Sequence, residues 1–98
     1  MASETQRIVL GSEIIAALEA SKQIDTRGLV CPYPSFETAK LVGSALENEV
    51  LEILSDDKYA ALNSIPTVLR LRNFECAVLE SDDGVWRIKA RRRKAVLQ

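Results

Sequence analysis

The chain has no histidine, only two cysteines among its 98 residues, and no long apolar run. Without histidine it cannot build a Cys–His nucleophile pair of its own. Two cysteines cannot supply the four Cys/His ligands of a structural zinc site, nor the disulfide framework of a small secreted protein. A membrane helix needs about 20 consecutive apolar residues. We therefore expect no bound metal, no cofactor and no membrane association.

The composition is that of one soluble globular domain, 47% hydrophobic and 28% charged. The first residues show no basic segment ahead of an apolar run, so we expect no signal peptide and a cytoplasmic location. The formal net charge is −1, but the basic residues gather near the end of the chain. Such an end suits nucleic acid or an acidic protein surface, or else a solvated strand edge with a basic tail at 93–98.

The most informative segment is Cys31-Pro32-Tyr33-Pro34. It follows an extended segment and the loop residue Gly28, and it precedes an amphipathic stretch. This order predicts a cysteine at a strand-to-helix junction, where the positive end of a helix favours the thiolate. The prolines have no N–H to donate to the sulfur and stiffen the loop. The donors that remain near the helix start are Tyr33, Ser35 and Phe36.

Two charged residues lie just before this motif. Asp25 is placed to bond backbone groups of the cysteine loop, and Arg27 to hold the thiolate; both also fit plain loop support or surface charge. Cys31 itself has a second interpretation, as a small buried hydrophobe. Cys76 stands beside apolar residues in a predicted strand, so we expect it to pack in the core. Asp56 and Asp57 are expected to cap the next helical turn.

The apolar patterns predict four strands and two helices in the order β-α-β-α-β-β. The strands are expected at 23–27, 49–54, 75–80 and 85–91, and the helices at 35–46 and from about 66 to 72, after a short turn at 57–63. We expect an α/β two-layer sandwich in which both helices cover one face of a four-stranded mixed sheet. Residues 1–22 form an extension, with a short helix capped by Ser12.

The chain resembles the TusA/SirA-like sulfurtransferases, small sulfur carriers built around a Cys-Pro-x-Pro motif. The resemblance covers residues 23–92 and rests on the ordered segments 25–34, Ser55-Asp56-Asp57, 63–66 and the closing hairpin. It implies a sheet order of 1-2-4-3, Cys31 as the persulfide-bearing residue, and Pro32 and Pro34 as the motif prolines.

The resemblance also implies partners. A cysteine desulfurase or other persulfide donor would load the carrier, and an acceptor protein would take the sulfur, in well-known members toward 2-thiouridine in tRNA. Tyr33 looks closer to the YedF-like branch. Glu37 and Ala39 stand where tRNA-thiolation members tend to carry basic residues. The pathway is therefore left open, and so is the description as an enzyme rather than a relay protein.

Two other functions compete. Cys-Pro-Tyr-Pro is similar to the Cys-Pro-Tyr-Cys motif of glutaredoxins without its second cysteine, and the segment around Pro66 is similar to the loop proline of that fold. A regulatory or RNA-binding module would use the basic segment from Arg91 to Lys94, but the chain lacks a series of aromatic residues for base stacking. We expect no direct nucleic-acid binding.

Overall fold

The computed structural model describes residues 6–11, 13–29, 33–45, 49–81 and 83–92. None of the helices in these ranges is long and apolar enough to cross a membrane. The elements in chain order are β1 (Gln6–Gly11), α1 (Glu13–Ala16), β2 (Lys22–Asp25), α2 (Tyr33–Gly43), β3 (Val50–Ser55), a π-helical segment (Ala60–Ser64), α3 (Ile65–Leu71), β4 (Phe74–Ser81) and β5 (Trp86–Arg92).

The strands form one mixed sheet of five strands in the order β1-β4-β5-β3-β2. Only β2 and β3 are parallel; the other neighbours are antiparallel. The four predicted strands are present and lie in the predicted relative order. The prediction of a four-stranded sheet is wrong, because residues 6–11 add β1 beside β4. Residues Ile8, Val9 and Leu10 are all apolar, so this segment lacks the alternation of apolar and polar residues that marks a half-buried strand. The sequence alone therefore does not predict a strand here.

The main core lies between the sheet and α2 and α3. In β5 the residues Trp86, Ile88 and Ala90 are buried in alternate positions, as the sequence predicts for one face of a strand. They pack in one cluster with Val42 of α2 and Leu69 of α3. Both long helices therefore cover one face of the sheet, which confirms that part of the prediction.

The other face of the sheet is covered by the N-terminal extension. Lys89 points to the face opposite Ile88 and donates from Nζ to the carbonyl of Leu18 at 2.7 Å. Ile15 of α1 is buried, with 1% of its surface exposed. The segment after β1 thus crosses the second face to reach β2 at the far edge of the sheet. This part of the second face is therefore not open to solvent, and Lys89 is half-buried.

The region before α3 is one continuous helix rather than a turn followed by a helix. Residues 58–71 are helical throughout, with the π-helical segment in the middle. The N–H of Ile65 donates to the carbonyl of Ala60, five residues back. This wider turn comes directly before Pro66, which has no N–H to offer. The predicted break before Pro66 is therefore wrong: a local change of helix type accommodates the proline.

Helix α2 begins two residues earlier than predicted, at Tyr33. Its buried face consists of Pro34, Thr38 and Val42. The hydroxyl of Thr38 donates to the carbonyl of Pro34 at 2.8 Å, which satisfies a buried polar group. The apolar pattern of residues 35–46 predicts Phe36 on the same helix face as Val42, but 56% of the surface of Phe36 is exposed. That expectation is wrong because Phe36 is two residues away from both Pro34 and Thr38, about 200° around the helix, and so faces away from the buried side.

The β4–β5 connection forms the tight turn that its sequence predicts. The N–H of Ser81 donates to the carbonyl of Val85 at 3.1 Å. Gly84 has a φ of 82°, a conformation that favours glycine. The carboxylate of Asp83 accepts from the N–H of Val85 at 3.1 Å. The hairpin brings this turn to the sheet end at which β3 also finishes.

Candidate functional site

The cysteine motif occupies the connection from β2 to α2. The chain is described up to Leu29 and again from Tyr33, so Cys31 and Pro32 lie outside the described residues. The expected roles of these two residues stay predictions. The chain is described on both sides of residues 30–32, and these flanking residues fix where the connection leaves β2 and where it enters α2.

Thr26 anchors the chain where it leaves β2. Its N–H donates to the carbonyl of Leu54 at 2.9 Å, and its hydroxyl donates to the same oxygen at 2.5 Å. The side chain is 1% exposed. Leu29 then donates its N–H to the carbonyl of Thr26 at 3.1 Å, closing a turn directly before the motif. These two bonds to Leu54 extend the contact between β2 and β3 by one residue beyond Asp25, the last paired residue of β2.

A second tie joins the two loops at this end of the sheet. The N–H of Gly28 donates to the carboxylate of Asp56 at 3.1 Å, and Gly28 has a φ of 85°. The prediction that Asp56 caps the next helical turn is not what the structure shows; Asp57 does so, accepting from the N–H of Tyr59 at 2.9 Å. The sequence does carry a signal for this contact. Asp56 comes directly after β3 and Gly28 shortly after β2, and two parallel neighbouring strands end at the same edge of the sheet.

Asp25 and Arg27 form a two-pronged ion pair. The guanidinium of Arg27 donates to both carboxylate oxygens of Asp25, at 2.9 and 2.7 Å, and its backbone N–H donates to one of them at 3.0 Å. These hydrogen bonds lower the pKa of Asp25 from 3.8 to about 2 and raise the pKa of Arg27. The pair links Asp25, the last residue of β2, to Arg27 in the loop that follows.

The start of α2 presents an aromatic pair beside the motif. Tyr33 and Phe36 are 53% and 56% exposed, and their rings meet edge to face at a centroid distance of 6.2 Å. Two residues separate Tyr33 from Phe36 in the chain: Pro34 is buried and Ser35 is half-buried. No acidic residue lies in the first turn. The first N–H groups of the helix have no acceptor within it, and no carboxylate of that turn competes for them.

The second cysteine lies elsewhere. Cys76 of β4 is half-buried and packs against the main core, as predicted. Within the described ranges, no three His, Cys, Asp or Glu side chains group in a way that would hold a metal ion. At the β2–α2 junction the described residues supply a helix start, a buried proline and hydrogen-bonded loops.

Comparison with known proteins identifies the family. The sequence model of the family described as "Sulfurtransferase TusA" matches residues 22–92. The chain belongs to this family. Two curated relatives are both named "Putative sulfur carrier protein". The one from Archaeoglobus fulgidus is 39% identical over 67 residues, which are 67% of this chain and 86% of the relative. The one from Thermotoga maritima is 28% identical over 74 residues, 76% of this chain and 94% of the relative.

A solved structure shows the same fold. The SirA-like protein from Desulfitobacterium hafniense superposes with a TM-score of 0.66 at 23% identity. The match covers 74% of this chain and 99% of that protein. The family match begins at residue 22, where β2 starts, so β1 and α1 precede the shared fold.

The Asp25–Arg27 pair predicts a pH titration that NMR can follow. Because the folded-state pKa of Asp25 is lowered, the pair stabilises the fold above pH 3.8, and this contribution is lost as the pH falls through about 2. The carboxyl-carbon shift of Asp25 should therefore titrate with a midpoint near 2. In Arg27→Ala the midpoint should rise toward its ordinary value but stay below it, because the backbone N–H of residue 27 still donates to the carboxylate. Arg7→Ala, which removes the separate ion pair with Glu80, should leave the midpoint unchanged. An Asp25 midpoint near 4 in the unaltered protein would contradict the pair.

Proposed function

We propose that this protein is a sulfur carrier that accepts sulfane sulfur as a persulfide on Cys31 and passes it to an acceptor protein. The observation that carries the proposal is the family match over residues 22–92, which includes Cys31 in its Cys-Pro-x-Pro sequence. The names of the two curated relatives support the same role.

The proposed reaction is a pair of thiol exchanges. The Cys31 thiolate attacks the outer sulfur of a donor persulfide, the donor's S–S bond breaks, and the donor leaves as a thiolate. A new S–S bond now holds the outer sulfur on Cys31. In the second step an acceptor thiolate attacks that outer sulfur, and Cys31 leaves as a thiolate. Both steps conserve the number of electrons, so the relay needs no oxidant, reductant or bound cofactor.

The surroundings of the motif support a charged sulfur. Thiolate and persulfide anions are both stabilised by the positive end of a helix, and α2 starts two residues after Cys31. Pro34 is buried and anchors this end of the helix against the core. On the other side, the turn at Thr26 and the bond from Gly28 to Asp56 fix the chain that enters the motif. We infer that Pro32 and Pro34 set the direction of the sulfur more than its charge.

The exposed side chains around the motif suit a protein partner. Leu29 precedes the motif and is 38% exposed, and the aromatic pair Tyr33 and Phe36 follows it. Exposed aromatic residues are typical anchors of protein interfaces. We infer that this aromatic pair docks a persulfide donor such as a cysteine desulfurase, and later the sulfur acceptor. A cytoplasmic location, where thiols stay reduced, fits this role.

The competing functions find less support. A glutaredoxin-type protein needs Pro66 in a loop, but Pro66 lies inside helix α3 and is buried. A nucleic-acid-binding strand needs available cations, but Arg91 pairs with Glu75 at 3.1 Å and Lys89 bonds to the carbonyl of Leu18. Arg93 and Lys94 lie outside the described residues. The sulfur-carrier function therefore explains the motif and its surroundings best.

A sulfur-loading assay tests the proposal. The protein is incubated with glutathione persulfide and, separately, with each cysteine desulfurase of the source organism and L-cysteine. Intact-mass spectrometry should show one adduct of about 32 Da, the mass of a sulfur atom added to a thiol. The adduct should be absent in Cys31→Ser and retained in Cys76→Ser. An adduct that persists in Cys31→Ser, or none with any donor, would overturn the proposal.

If the aromatic pair docks a protein donor, removing it should slow sulfur loading by a desulfurase but not loading by a small-molecule persulfide. In the double variant Tyr33→Ala/Phe36→Ala, the rate of loading by a desulfurase should fall at least about tenfold, equivalent to ~1.4 kcal/mol of binding free energy. Loading by glutathione persulfide should change by less than about twofold, because a small donor does not need the surface. Rates from a stopped time course with mass detection measure both.

Leu71→Ala is the matched control for this comparison, since Leu71 is 79% exposed on α3 away from the motif. It should load normally from both donors. Unchanged loading of the double variant by every desulfurase would contradict docking at the aromatic pair. A parallel loss with glutathione persulfide would show instead that these rings support the thiol itself.

A further inference from the structure

Each residue from 26 to 29, between the end of β2 and the motif, donates its backbone N–H to an acceptor. The four pairs are Thr26 with the carbonyl of Leu54, Arg27 with the carboxylate of Asp25, Gly28 with the carboxylate of Asp56, and Leu29 with the carbonyl of Thr26. Asp56 stands apart in this set, because it is the one side chain that reaches in from a different loop, 28 residues along the chain from Gly28.

The turn that Leu29 closes leaves the N–H of Gly28 for an outside acceptor. The turn has a positive φ at its third residue, Gly28, and not at its second, as in a type II turn. Its own hydrogen bond joins the carbonyl of Thr26 to the N–H of Leu29, so the N–H of Gly28 takes no part in it. Asp56 accepts that N–H from the loop after β3. The turn and the neighbouring loop are thus joined through one carboxylate.

The charge of Asp56 on its own works against a thiolate nearby. A carboxylate destabilises another anion in its surroundings and so raises the pKa of a neighbouring thiol. Asp56 is bound to Gly28, and Cys31 follows Gly28 by three residues in the sequence. What a carboxylate offers instead is a hydrogen bond to an N–H that is about twice as strong as one from a neutral acceptor. Its role here is therefore geometric.

We propose that Asp56 is a positioning residue for sulfur transfer: by holding the N–H of Gly28, it fixes the turn from which the chain enters the motif and so directs the thiol of Cys31 toward the start of α2. Without this bond the last anchor before the motif is Thr26, because the bond of Leu29 leads back only to Thr26. A sulfur that leaves the helix start loses the support of its N–H groups. The proposal rests on the sulfur-carrier function proposed for Cys31.

Asp83 provides a matched charge at the same end of the sheet. The pKa of Arg27 is raised chiefly by its hydrogen bonds to Asp25, and further by the charges of Asp56 and Asp83. Asp83, however, accepts from the N–H of Val85 in its own turn. Asparagine at position 56 or 83 removes the charge and keeps an oxygen that can accept the same N–H. Loss of the charge and loss of the bond to Gly28 can therefore be separated.

The pKa of the Cys31 thiol distinguishes the two effects, because they have opposite signs. It is measured from the pH dependence of alkylation in the full chain carrying Cys76→Ser. In Asp56→Ala the pKa should rise by at least about 0.5, so that alkylation below the pKa slows about threefold. In Asp56→Asn and Asp83→Asn it should stay the same or fall, because a negative charge is lost and the bond remains. Loading by glutathione persulfide should slow in Asp56→Ala alone.

Amide exchange at Gly28 reports the hydrogen bond directly. Exchange with water, measured by NMR, should be at least about tenfold faster in Asp56→Ala and less than about threefold faster in the two asparagine variants. Gly28→Ala disturbs the same turn from its other side. Nothing lies within 4 Å of a Cβ added there, so this variant strains only the left-handed backbone. It should also raise the pKa of Cys31, which keeps the proposal testable if Asp56→Ala does not fold.

Three results would overturn the proposal. One is a Cys31 pKa that falls or stays the same in Asp56→Ala, which would show that Asp56 acts as a charge alone. The others are an equal rise in Asp83→Asn, and unchanged exchange of the Gly28 amide in Asp56→Ala. The pKa and exchange measurements use no persulfide. If they match the expected pattern while no donor loads the protein, the sulfur-carrier function is wrong and Asp56 still positions the thiol.

Discussion

The candidate site at the β2–α2 connection depends on hydrogen bonds that join β2 and β3 just beyond the last residues that pair in the sheet. Leu54 of β3 accepts both the N–H and the hydroxyl of Thr26, and Asp56 accepts the N–H of Gly28 two residues later. These bonds fix where the chain leaves β2. The buried face of α2 fixes where it arrives, through Pro34 and Thr38. The fold thus fixes both ends of the short connection that carries Cys31 in the sequence.

Much of this arrangement follows from local patterns in the sequence. Alternation in β5 correctly assigns Trp86 and Ile88 to the core, and the Asp-Gly turn before it correctly predicts the hairpin. The strand, loop glycine and amphipathic stretch around the motif correctly predict a strand-to-helix junction. These signals work because each depends on the period or the turn chemistry of a few adjacent residues. The i,i+3 pair of Glu37 and Lys40 follows from the same helical geometry.

The failures arise where distant segments meet. Strand β1 has no alternation because of its bulge, and only its pairing with β4 makes it a strand. Phe36 is exposed because packing selects the helix face of Pro34, Thr38 and Val42, and Phe36 lies on the opposite side. Pro66 does not break its helix, because the π-helical turn directly before it accommodates a residue that has no N–H to donate. Asp56 bonds across to Gly28 rather than locally. In each case a tertiary contact or a change of helix type overrides a sound local rule.

The most direct test of this account is the pKa of the Cys31 thiol, measured from the pH dependence of its alkylation by iodoacetamide, with Cys76→Ser to remove the second thiol. If the helix start stabilises the thiolate of Cys31, its pKa should lie below the ordinary value of about 8.5, in the range of roughly 3.5–7.5 that helix starts and nearby cations produce. Such a value would mean that the folded chain itself supplies the thiolate for sulfur exchange. A pKa at or above about 8.5 would contradict the account, because the junction would then give the sulfur no electrostatic support.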